Sequence, residues 1–325
     1  MVIRQPQSNW LMQAWQINKP LSTLVFLSLG IFFLSLIGLF ADPRVTAIIG
    51  TPTWAKTFKF SVSLALYAAS LLWVLNQIEP HFRKGAQLAA SIIGATMSLE
   101  LLLIAFQGLR AQPMHFNETT PFDTMLWQFM SIGVNIMLLG YIAMIVLVWR
   151  GFKAVPVIAW GVRAGFMVTL LSFVQGSLMP PPNAVQQKAL AAGQTTIMVG
   201  AHTVGSSSLT PDAGVGLPLL GWSTTQGDLR IGHFVGIHAL QLLPFLAIWL
   251  SRRRKQGLSE KHQIGLVGIA ALGYTGLMLL VTWQALRGQS IIAPDALTLS
   301  VFIGLISAIS LSSFGIFSHA RAKKV

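Results

Sequence analysis

The sequence predicts an all-α fold, a polytopic transmembrane helical bundle of about eight spans. Its amino and carboxyl termini are expected in the cytoplasm, with a long extracytoplasmic loop between spans five and six. Three observations predict this: a shortage of charge, the length of the apolar runs, and the alternation of lysine and arginine between loops.

The 325 residues are 54% hydrophobic and 10% charged. A soluble domain carries roughly 25% charged residues. A chain this long with so few charges would expose apolar surface to water, whereas a bilayer accommodates that surface. Eight runs reach the roughly 20 residues that a spanning helix needs. They fall near 21–40, 57–78, 86–106, 124–149, 155–178, 230–250, 263–286 and 294–317. Residues 1–325 read as a single integral membrane domain without an internal repeat.

Lysine and arginine mark the cytoplasmic side of a membrane protein. One set of segments holds Arg4, Lys19, Arg83, Lys84, Arg150, Lys153, Arg252, Arg253, Arg254, Lys255, Lys261, Arg321, Lys323 and Lys324. The alternate loops hold only Arg44, Lys56, Arg110, Lys188 and Arg287. The richer set includes both termini, so 41–56, 107–123, 179–229 and 287–293 are expected to face outward. The expected location is a bacterial cytoplasmic membrane.

The net charge of +13 follows mainly from this topology. The basic residues sit at the ends of apolar runs, so a lipid bilayer is the expected partner and nucleic acid is not. The chain has no cysteine. That excludes disulfides, thiolate metal sites, cysteine-held iron–sulfur clusters and covalently attached c-type haem. The first apolar run begins after about twenty polar or mixed residues, unlike a secretory signal. Trp10, Leu11, Ala14, Trp15 and Ile17 suggest a short interfacial helix ahead of it.

Two outward loops carry most of the remaining information. In 107–123, Pro121 and Asp123 mark a helix start. The segment 179–229 contains Pro180, Pro181, Pro182 and seven glycines from Gly193 to Gly227. Long loops of this kind are usually functional or disordered. Low charge and the apolar patches at Ile197 to Val199 and Leu217 to Trp222 argue against disorder. The segment is expected to fold over the outward mouth as a lid.

Polar side chains inside apolar spans are costly and point to a site. In the second span, Lys56, Lys59, Ser63, Tyr67 and Ser70 fall within about 80° of one helix face. In the third, Thr96, Glu100 and Gln107 share a face, with Glu100 well inside the hydrocarbon. The fourth carries Gln128, Ser131 and Asn135, a pattern that suits contacts between helices. The sixth opens with Asp228, Arg230, His233, His238 and Gln241. On a regular helix His233 and His238 differ by about 140° and about 7.5 Å, so they cannot chelate one ion by themselves. Any metal would need ligands from other segments.

Four of the seven histidines, His115, His202, His233 and His238, lie in the outward loops or outward halves of spans. With Glu100 they form the expected metal shell, for a divalent ion such as zinc, iron or copper. Haem is the weaker expectation, because His233 and His238 cannot clamp one iron from opposite faces. Glu100, Lys59 and Arg230 are the expected catalytic groups: a base, and two cations for an anionic substrate group. Asp228, Gln107, Gln241 and Asp123 would orient and brace these residues. His81, His262 and His319 lie at cytoplasmic ends and read as solvated. Glycines 268, 273, 276, 304 and 315 mark the last two spans as close-packing support.

The function expected from these residues is a membrane-embedded, metal-dependent hydrolase or oxidoreductase acting on an amphipathic small molecule. A proton- or cation-coupled transporter and a non-catalytic assembly subunit are the competing expectations. The same buried polar residues would serve all three.

Overall fold

The structure is a computed structural model that describes residues 10–214, 216–252 and 258–322. Arg4, Arg253, Arg254, Lys255, Lys323 and Lys324, used above to orient the chain, lie outside the described residues, as do the side chains of Trp10 and Leu11.

Among the described residues, eight helical segments are long and apolar enough to cross a membrane. The short helix α1 (Trp10–Ile17) leads into the first of them, α2 (Lys19–Ala41). Asn18 separates the two in an extended conformation, and its side chain accepts the Leu21 amide at 3.0 Å. Such a cap satisfies one of the free amides of a first helical turn. Asn18 also donates to Gln87 Oε1 at 2.7 Å and Ser91 Oγ at 2.9 Å, tying this start to a neighbouring helix. Then come α3 (Ala55–Asn76), α4 (Pro80–Leu109), α5 (Pro121–Gly151) and α6 (Pro156–Gly176). The last three begin at proline, whose missing N–H is not needed there.

The segment after α6 carries short elements. Helix α7 (Ala184–Ala191) has a reciprocal cap between Asn183 and Gln186. Strand β1 (Thr203–Val204) pairs antiparallel with β2 (Gly227–Asp228). The sixth span is two helices, α8 (Leu229–Ile237) and α9 (Ala239–Ser251), broken at His238. Helices α10 (Glu260–Leu286) and α11 (Ala296–Ala322) complete the chain.

Helices α2 to α5 pack on one another, and α6, α8, α9 and α10 form a second group. The two half-bundles meet through α5 with α6 and through α3 with α9. A continuous apolar core fills the end away from the long loop. It includes Leu71, Leu75, Ile93, Met97, Met144 and Val148, with Tyr141 stacked on Phe166.

Helix α11 packs chiefly on α10, and most of its surface is exposed. The glycine expectation holds in part. Gly273 and Gly276 of α10 lie against Ile309 and Leu305, but Gly268, Gly304 and Gly315 face open space. The close packing is therefore one-sided: notches on α10 receive branched side chains of α11.

The break at His238 leaves main-chain carbonyls without helical partners, which is costly inside a membrane. Neighbouring side chains take them up. Thr169 Oγ1 lies 3.3 Å from both the Gly236 and Ile237 oxygens. The Tyr274 hydroxyl donates to Val235 O at 2.6 Å, and Ser172 Oγ to His233 O at 2.7 Å. The broken helix is thus held in place by α6 and α10.

Candidate functional site

The loop between α4 and α5 turns back into the bundle and carries His115 with it. A latch fixes this loop. Asp123 accepts from Arg110 at 2.7 Å, Gln107 at 3.1 Å and Thr120 Oγ1 at 2.6 Å. Gln107 and Asn117 both donate to Pro113 O. The next residue, Phe116, adopts φ +63°, a left-handed conformation uncommon for a residue with a side chain. It is held there by packing against Trp127 and His202, at ring separations of 5.0 and 4.8 Å.

His115 lies between a cation and an acid. Lys56 Nζ is 3.1 Å from its Nδ1, and Glu100 Oε1 is 3.7 Å from its Nε2. An ammonium can only donate. His115 Nδ1 is therefore the acceptor, and in the neutral ring the proton sits on Nε2, facing Glu100. Glu100 is buried, and its carboxylate has this imidazole as its polar neighbour among the described residues. It lies nine residues from the end of α4, about 13 Å along the helix axis.

The long loop adds a second imidazole. Asp212 Oδ2 is 2.5 Å from His202 Nδ1. Its Oδ1 accepts the backbone amides of His202 and Thr203 at 2.9 and 3.0 Å. A carboxylate accepts, so His202 Nδ1 carries the proton and Nε2 keeps its lone pair. The rings of His115 and His202 are 6.0 Å apart.

Burial holds the His115 imidazole well below the usual 6.5, and the Lys56 charge acts in the same direction. Burial also lowers the pKa of His202, although the Asp212 charge and hydrogen bond partly oppose it. For Asp212 burial alone would raise the pKa; the His202 charge and hydrogen bond outweigh it and hold the acid below the usual carboxylate range. Both imidazoles are therefore neutral near pH 7 and available as bases.

The expected catalytic cations have other partners. Arg230 forms a two-point ion pair with Asp228, with Nη2 at 2.5 Å and Nε at 2.9 Å, and donates to Gly221 O at 2.6 Å. Asp228 also caps α8 through the Arg230 amide. Lys59 donates to the Leu220 carbonyl. Both therefore hold the loop tip at 217–222 against the bundle. Lys56, counted above as a loop charge and as the start of the polar face of the second span, is the cation in contact with the buried imidazole.

His233 and His238 do not join the pair. His233 Nδ1 donates to Ser172 O at 2.9 Å, in a pocket that Gly176 leaves open. His238 Nδ1 lies 3.2 Å from Gln241 Oε1, and its Nε2 lies 3.5 Å from Ser63 Oγ. Among the described residues no group of three or more His, Asp or Glu side chains is disposed to hold a metal ion. His233, His238, Glu100, His202 and His115, expected together as a metal shell, do not form such a group among the described residues. Local charge gives the physical reason. Lys56 occupies one nitrogen of His115, Asp212 occupies one of His202, and Lys59 and Arg230 lie within electrostatic range of Lys56.

The sequence reading missed Asp212 and the role of Lys56. The ten-residue separation of His202 and Asp212 has no helical or strand period to reveal it. Lys56 shared a helix face with Lys59 and Ser63, and that phase was the available signal.

Comparison of the chain with protein-family models, curated proteins and solved structures finds no match.

Proposed function

We propose that this multi-pass membrane protein is an enzyme that performs acid–base chemistry on an amphipathic substrate, with its site near the extracytoplasmic face. The observation that carries the proposal is the pair of buried, neutral imidazoles. One is oriented by Asp212 and the other is placed between Lys56 and Glu100. Buried ionisable groups are expensive in a membrane and are kept where they serve a site. The lysine and arginine distribution supports the orientation.

Hydrolysis is the simplest reaction for this set. His202 Nε2 removes a proton from water while the oxygen attacks an ester-like centre. Lys56 stabilises the negative charge that develops. The imidazolium formed at His202 then gives that proton to the leaving oxygen, while His115 positions Lys56 through Nδ1. His202 is then neutral again, so atoms and charges balance.

The test is incubation of the purified protein with a total lipid extract, followed by mass-spectrometric profiling. Wild type and His115→Ala are run side by side. The expected result is one amphipath class consumed by wild type and spared by the variant. An extract unchanged by wild type, or changed equally by both proteins, overturns the proposal.

A further inference from the structure

The acid–base centre uses only the first residue of the polar row on α3. Lys56 touches His115, and Lys59, one turn below, reaches the Leu220 carbonyl. Beyond them the row continues where the half-bundles meet. Ser63 Oγ is 3.5 Å from His238 Nε2, and Ser70 Oγ is 3.5 Å from Gln241 Nε2. Between these serines, the Tyr67 hydroxyl is buried without a hydrogen-bond partner among the described residues. By helical rise Ser63 lies about 12 Å and Ser70 about 22 Å along α3, well into the hydrocarbon.

Two features set this seam apart from ordinary polar contacts between helices. Its hydrogen bonds are long, at the limit of useful geometry. Ser63, Ser70, His238 and Gln241 are only half-buried, while Leu66 of α3 and Phe234, which meets the His238 ring, are exposed. The seam therefore borders lipid. The α8–α9 break falls at the same place, and broken helices at membrane depth are tolerated where they line a cavity or a binding site. At the upper end, neither Lys56 nor Lys59 has a carboxylate among its hydrogen-bond partners in the described residues, whereas Arg230 is paired with Asp228.

We propose that this seam binds an anionic amphipath from the bilayer and guides its head to the acid–base centre. Gln241, His238 and Ser63 are successive hydrogen-bond partners, and Lys59 and Lys56 receive the negative charge. The head is a phosphate or a carboxylate, and the acyl chain stays in lipid. The fate of the bound molecule rests on the enzymatic reading above; its binding does not.

The test uses protein reconstituted in phosphatidylcholine vesicles doped with a photoactivatable probe. Separate samples contain diazirine-tagged phosphatidylglycerol, fatty acid or phosphatidylcholine. Adducts are mapped on peptides covering 62–70 and 234–245, with 297–317 of α11 as the reference for surrounding lipid. Several-fold enrichment at the seam is expected with an anionic probe and not with phosphatidylcholine. Enrichment with one anionic probe alone identifies the head as phosphate or carboxylate. Lys59→Gln and Gln241→Leu should each lower seam adducts several-fold and leave α11 adducts unchanged, which also reports that the variants remain inserted. Seam labelling no higher than α11, equal for all three probes, or indifferent to both substitutions overturns the proposal. Labelling needs no turnover. Seam labelling without any lipid transformation would end the enzymatic reading alone, and transformation without seam labelling would end this one.

Discussion

Asp212 grips His202 from both sides: Oδ2 meets the ring Nδ1 at 2.5 Å, and Oδ1 accepts the backbone amide of the same residue at 2.9 Å. One carboxylate thereby fixes the position and the tautomer of an imidazole that stands 6.0 Å from a second one.

Replacing Asp212 with Asn separates these two roles. The amide oxygen can still accept the backbone amides, so the loop should keep its shape. It no longer favours the tautomer with a free Nε2. Product formation should fall by about 100-fold or more, as expected when an orienting carboxylate is lost. The near-ultraviolet circular dichroism should stay that of wild type. Activity retained within a few-fold would show that the tautomer does not matter.

Stability should depend on pH through the two buried imidazoles. Their folded pKa values are depressed from the usual 6.5. The unfolded chain therefore binds protons that the folded chain refuses. Their contribution is fully present above pH 6.5 and is lost as pH falls from there toward the folded values. Thermal unfolding in detergent between pH 8 and pH 5 should show a falling midpoint, with a shallower slope in His115→Gln. An identical slope in the variant would remove His115 from the explanation.

Gly232 is a packing test of the broken span. A Cβ at that position would collide with Thr282 Oγ1 of α10, whereas one at Gly268 would meet nothing within 4 Å. Gly232→Ala should cost about 1–3 kcal/mol through overpacking. Gly268→Ala should be neutral or slightly stabilising, because alanine favours helix. Unfolding midpoints of the two variants, measured in the same detergent, check the contrast.

The absence of cysteine makes the orientation directly measurable. Single cysteines at Ser207 and Ser259 fall on exposed loops at opposite ends of the bundle. A membrane-impermeant maleimide applied to intact cells should label Ser207→Cys at once. Ser259→Cys should react only after permeabilisation. The reverse pattern would invert the proposed topology and place the imidazole pair on the cytoplasmic side.

The eight long helices were legible in the sequence because lipid imposes a one-dimensional rule. Each span must satisfy its own backbone over about 20 apolar residues, and that requirement is written locally. The expected ranges 57–78 and 263–286 accordingly fall close to Ala55–Asn76 and Glu260–Leu286. Polar depth was legible too, so Glu100, His115 and His202 could be named as candidates. Which polar groups meet was decided only by tertiary structure. His115 reaches Glu100 through a loop that turns inward on the Asp123 latch, and His202 finds Asp212 across an irregular segment. His233, His238 and Arg230 were equally plausible by depth, but Ser172, Gln241 and Asp228 engage them first. Partner choice in the hydrocarbon depends on angstrom-scale distance and on competing charges such as Lys56. Neither has a period that a linear sequence can display.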